Sequence, residues 1–202
     1  MRWNLVVGTI AVGLVPAIAG CCHPGRSAML PVECRAQETD MWCWAACGEM
    51  IMEYKGRDVT QCDEAQKSSG RDDCPCDQCG TGRINDPMCA NQGGWPQFGK
   101  YGFSWERTSL RPLSWDELTK ELSPRRRCGA SPVAFTHGHP GGAGHMYVAF
   151  GYHKQGGKRY VDVWDPAPEC DARPEAHYKL MTYEEYVNGD DHWNDFYQIR
   201  KK

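Results

Sequence analysis

Four separated residues carry the chemistry open to this sequence: Gln37, Cys43, His145 and Asp165. A cysteine attacks as its thiolate, and a free thiol, with a pKa of about 8.5, needs a helix N-terminus or a cationic neighbour to ionise near neutrality. Cys43 meets the first condition. From Trp42 to Tyr54 the positions Cys43, Cys47, Met50, Ile51 and Tyr54 recur at helical spacing, with Gly56 as a stop signal, so unpaired N–H groups and the macrodipole favour negative charge on the sulfur. Such a nucleophile also needs a histidine to carry the proton and a third group to fix that ring. His145 opens one predicted strand and Asp165 closes the next. A hairpin would bring the two to the same sheet edge. Gln37 can offer a side-chain amide, with the Cys43 N–H, to a developing oxyanion.

The elements that must position these groups divide into two halves. Thr60 can cap a short helix over 61–68. Residues 69–100, rich in Gly, Asp, Asn and Cys, show no period and predict a long cross-linked loop region. Ser114, Trp115, Glu117, Leu118 and Leu122 predict a capped amphipathic helix that Pro124 ends. The last third changes to β-branched and aromatic runs, Pro132–Thr136, Met146–Tyr152, Tyr160–Trp164 and Trp193–Ile199, which predict strands. His137–Gly144 and Lys154–Lys158 are the connecting loops, the second short enough for a hairpin. Helices followed by an antiparallel sheet is an α+β plan.

Plainer readings compete at each position. Cys43 could be half of a disulfide, since the chain has 12 cysteines, and Asp165 could be a turn former before Pro166. His145 is one of 7 histidines; the hairpin with Asp165 separates it from His137, His139 and His153. Asp162 falls on the opposite strand face from Asp165. Trp42 and Trp44 read as packing, and Cys47 as a buried or bonded cysteine. Cys74, Cys76, Cys79 and Cys89 invite a zinc reading, but paired C-x-x-C knuckles are missing, so disulfides are expected and no metal or other cofactor. His137 and His139 read as lid or surface loop.

Gln37, then Trp42-Cys43-Trp44-Ala45-Ala46 with Met50 and Tyr54, resembles the papain-like cysteine peptidases, in particular a bacterial branch that includes secreted effector proteases. Gly144-His145 leading into Val148, Gly151 and Tyr152, followed by Val161, Val163 and Asp165-Pro166, matches the second half of that pattern. The resemblance spans roughly 37–66 and 132–166, and no counterpart is placed for 69–100. It implies a papain-like fold, Gln37 as oxyanion amide, Cys43 as nucleophile, His145 as base and Asp165 as orienter. It further implies peptide-bond hydrolysis through a thioester, with a protein or peptide substrate and a monomeric chain. Two alternatives stand beside it: an amidase or transpeptidase on cell-wall peptides, and a non-catalytic, disulfide-rich surface binding module with Cys43 bridged.

The 202-residue length fits one domain, and 41% apolar and 24% charged residues exclude intrinsic disorder. A net charge of −3 gives no basic footprint for nucleic acid. Residues 1–20 hold Arg2 as their single charge and end in small residues, which predicts a signal peptide too short for a comfortable membrane span. Ile18-Ala19-Gly20-Cys21 resembles the bacterial lipoprotein signal, which implies lipid on Cys21 and a membrane anchor. Residues 21–36 then form a tether, and 37–202 the peptidase domain. Export makes disulfides the expected state of the cysteines outside Cys21 and Cys43. Mass spectrometry should find lipid-modified Cys21 as the first residue, and Cys21→Ser should free the protein from membranes. An unmodified mature terminus would contradict the assignment.

Overall fold

The computed structural model describes residues 26–74, 87–90, 92–124, 129–139, 142–167, 177–187 and 191–202. The predicted signal segment, Cys21, Cys22, Cys76, Cys79, Cys128 and Cys170 lie outside the described residues, as does part of the loop after His139.

The helix predicted to open at Cys43 forms as expected, α1 over Cys43–Tyr54. Its buried residues run all round it, Trp44 to Gly48 and Met50 to Met52, which makes it a central helix rather than one with a single apolar stripe. No side chain caps its N-terminus. The next helix, α2 over Gln61–Ser69, begins with a reciprocal Thr60–Asp63 capping box and ends at left-handed Gly70.

The stretch read as a featureless loop contains a short helix, α3 over Pro87–Ala90, and a 3-10 turn at Phe98–Tyr101. These are too short to show a period. A disulfide joins Cys74 to Cys89, and Cys62 is also disulfide-bonded. Cys74 and Cys89 are therefore not zinc ligands. The expectation of disulfides at the cysteines outside Cys21 and Cys43 fails at Cys34 and Cys47, which are free along with Cys43. The helix α4, Trp115–Leu122, carries the predicted Ser114–Glu117 box.

The described strands are β1 (Ser27–Met29), β2 (Phe103–Arg107), β3 (Val133–Gly138), β4 (Gly144–Gln155), β5 (Lys158–Trp164), β6 (Tyr178–Thr182) and β7 (His192–Lys201). A short helix, α5 (Tyr183–Val187), follows β6. The sheet runs β2-β7-β3-β4-β5-β6, with β1 paired to β4, and its pairings are antiparallel. The β4–β5 hairpin is tighter than expected, turning at Gly156 and Gly157, both at positive φ. Three strands have no counterpart in the sequence reading, and each is short or mostly exposed: β1 inside the tether stretch, β2 with Phe103 as its buried residue, and β6 at the sheet edge. Among the described residues no helix is long and apolar enough to cross a membrane.

One close approach fixes α1 against α2. A Cβ on Gly48 would lie 2.1 Å from Glu64 Oε1 and 2.7 Å from its carboxyl carbon. Glu64 is fully buried and accepts the Gln97 N–H at 2.7 Å. Burial pushes its carboxyl well above the usual range, so it packs as a neutral acid. Gly48→Ala should gain helix propensity and still lose stability, by about 1–3 kcal/mol from overpacking. Thermal melting reads this as a Tm drop of about 2–4 °C per kcal/mol; an unchanged or raised Tm would refute the packing argument.

Candidate active site

The four residues singled out by type and spacing come from four places in the chain. Cys43 opens α1, His145 is the second residue of β4, Asp165 follows β5, and Gln37 lies on the strap before α1. The β3–β4–β5 register places His145 and Asp165 at one end of the sheet beneath the start of α1. His145 Nε2 donates to Asp165 Oδ1 at 2.7 Å. Cys43 interacts with the same imidazole and helps to raise it, and with Nε2 taken, Nδ1 is the nitrogen left to face the sulfur. Cys43 is free, so the bridged-module reading fails at its key residue.

Asp165 is held from every side. Ala167 N–H donates to Oδ1 at 2.9 Å, and Lys179 Nζ pairs with Oδ2. Its backbone N–H donates to His177 O at 2.8 Å while His177 Nδ1 donates back to its carbonyl at 2.9 Å. Burial alone would raise the carboxyl, but the bonds from His145, Lys179 and Ala167 hold it well below the usual carboxylate range. On His145 burial works against the charged ring, and the bonds to Asp165 and Cys43 outweigh it, raising it to about 9. Burial pushes the Cys34 thiol up to about 12 and Cys47 well above its ordinary value, so neither supplies a thiolate near neutrality.

Gln37 reaches this end of the site through its backbone, donating its N–H to Pro166 O at 2.9 Å. It is not among the residues that line the cleft. Gln61 frames it: Nε2 donates to Ala36 O at 2.8 Å, and Oε1 accepts from Glu38 N–H at 2.9 Å. Asp162, on the other strand face as expected, accepts from His153 and Tyr178 instead.

A cleft of about 720 Å³ opens over Cys43 and His145. Its helical wall is Trp44 with Gly93, Gly94 and Trp95, and a Cβ on Gly94 would sit 2.9 Å from the Trp44 ring. Its sheet wall includes Trp193, whose indole lies across Gly138 and Gly144, a register pair that tolerates no Cβ. Trp44 is thus a cleft wall, and Trp42 is wholly buried with its N–H on Cys89 O at 2.9 Å. His139 is exposed at the rim, its ring centre 6.3 Å from that of His145.

A family model described as the Peptidase_C39 like family matches residues 29–199. The chain belongs to that family. No curated protein matches the sequence at a significant level. Among solved structures, one from a study of the mite allergens Blo t 1 and Der p 1 has a TM-score of 0.54 at 10% identity, covering 91% of this chain and 74% of that one. The peptidase domain of Streptococcus ComA, a bifunctional ABC transporter, has a TM-score of 0.48 at 11% identity over 83% of this chain and 97% of its own. A double glycine motif protease from an AMS/PCAT transporter, solved with a leader peptide, has 0.43 at 15% identity over 89% and 99%. The fold is α+β and papain-like, as the sequence resemblance implied.

Sequence reasoning missed Lys179, His177, Gln61 and Trp193. Tyr178–Thr182 shows no alternation that could have flagged the first, and a lone glutamine at the start of α2 carries no signal either.

The raised His145 value fixes the pH response. Its ion pair contributes stability in full below the unfolded value of about 6.5 and loses it as pH rises through about 9. Asp165 is lowered, so its contribution is present above the ordinary carboxylate range and lost under strong acid. Turnover that needs the imidazolium should fall with an alkaline limb near pH 9 in kcat/KM, and Asp165→Asn should move that limb down. A wild-type limb near 6.5 would contradict the coupling.

Proposed function

We propose that this chain is a cysteine peptidase that hydrolyses peptide bonds through a thioester on Cys43. The observation that carries the reading is the single imidazole bonded to Asp165 and raised by its interaction with the free Cys43, all three lining one cleft at an uncapped helix N-terminus. Cys43 sulfur attacks the scissile carbonyl carbon. As the C–N bond breaks, the His145 imidazolium gives its proton to the leaving amine. Water, losing a proton to the now neutral His145, then attacks the thioester and releases the acid and Cys43. The Cys43 N–H and the Gln37 amide stabilise the oxyanion; family order and the Gln61 frame support the Gln37 role. Asp165 fixes the ring.

An exported, lipid-tethered enzyme is part of the same proposal. The Cys74–Cys89 disulfide supports an oxidising compartment, and the Ile18–Cys21 motif supports the anchor.

An irreversible epoxysuccinyl inhibitor followed by peptide mapping should place the adduct on Cys43 and leave Cys34 and Cys47 unmodified. Cys43→Ala and His145→Ala should each lower kcat by about 10³-fold or more, and Asp165→Ala less, because an orienter leaves the nucleophile in place. Full activity of Cys43→Ala, or labelling at another cysteine, would overturn the proposal.

A further inference from the structure

We propose that Lys179 is a positioning residue for this site: its ammonium occupies the second oxygen of Asp165 and balances its charge, so that Asp165 orients His145 without retaining its proton. The kinetic part rests on the peptidase reading. The geometric part stands without it.

Asp165 Oδ1 is spent on His145 Nε2 and Ala167 N–H, which leaves Oδ2 for Lys179. Lys179 pairs with Val163 in the β5–β6 register, two residues before Asp165, so its side chain rises on the strand face from which Asp165 also projects. The ammonium lies 5.2 Å from the centre of the Tyr147 ring, and Tyr147 stands edge-on to His145 at 4.6 Å and 88°. Two contacts thus hold one charge. The Asp165 side chain is 6% exposed, so the carboxylate is desolvated and its second oxygen needs a donor.

Among the described residues, the groups around Asp165 offer no substitute cation. Cys34 on the strap and Cys47 on α1 remain neutral thiols, and Tyr147 on β4, pushed up to about 12 chiefly by burial, remains a neutral phenol. His139 sits across the His145 ring at the rim, and His137 faces Tyr186 O with its Nε2. Glu185, which shares a groove with Lys179, accepts from the N–H and hydroxyl of Thr182. In the active form the Cys43 thiolate, His145 imidazolium, Asp165 carboxylate and Lys179 ammonium sum to zero charge. Without Lys179 the excess negative charge makes His145 hold the proton that the leaving amine must receive.

The test is Lys179→Met and Lys179→Arg in the full chain, with His145 followed by NMR titration of its ring and by the alkaline limb of kcat/KM. Lys179→Met should raise the His145 midpoint by about one pH unit and lower kcat severalfold with little change in KM. Lys179→Arg should restore both. An unmoved or lowered midpoint in Lys179→Met overturns the proposal, whatever happens to kcat. If the midpoint rises while wild type hydrolyses no peptide, the peptidase reading fails and the Lys179 role stands.

Discussion

A carboxylate that must stay ionised while almost buried is the constraint on which this molecule is arranged. Removing a carboxylate from water costs several kcal/mol unless donors replace the lost hydration. Around Asp165 those donors are His145, Lys179 and the Ala167 N–H, and His177 braces its backbone from both directions. Each donor comes from a different part of the sheet or its loops. The β4–β5–β6 order is what brings them together, and the Gln37–Pro166 bond ties the N-terminal strap to the same point.

The helical half solves a complementary problem, because the start of α1 must stay open while the rest of the helix is sealed. No side chain caps α1, whereas α2 and α4 both carry full capping boxes. Burial of α1 on every side holds it in the absence of a cap. Glu64 adds a lock by filling the space above Gly48 and taking the Gln97 N–H, which anchors the segment that becomes the cleft wall. Stability and access are thus assigned to opposite ends of one helix.

A second buried carboxylate shows that a histidine–aspartate pair is not in itself a site. Asp195 accepts from His192 Nε2 at 2.9 Å, Leu113 N–H at 2.9 Å and the hydroxyls of Thr108 and Tyr186. This network joins β7, α5, the end of β2 and the approach to α4. Both members of its ion pair are 0% exposed, against 15% for His145. What separates the two pairs is a cleft and a neighbouring free thiol, since the hydrogen bonding is alike.

Sequence alone determined the parts whose signals are local. The period of 3.6 in Trp42–Tyr54, the capping residues Thr60 and Ser114, and the apolar runs around Val148 and Val161 each follow from contacts within one element. Cys43, His145 and Asp165 were legible for the same reason, because each sits at the boundary of such an element, while Gln37 lies on the strap between β1 and α1 and was read from its place in the order. Tertiary structure decided what depends on distant partners. β6 at the edge carries too few buried residues to show its period, yet it delivers Lys179, with His177 just before it; Gln61 matters through where Ala36 and Glu38 happen to pass; Gly94, Gly138 and Gly144 are glycines because tryptophans remote in sequence lie against them. Periodicity records which face of an element is buried, and it does not record which atom will stand opposite.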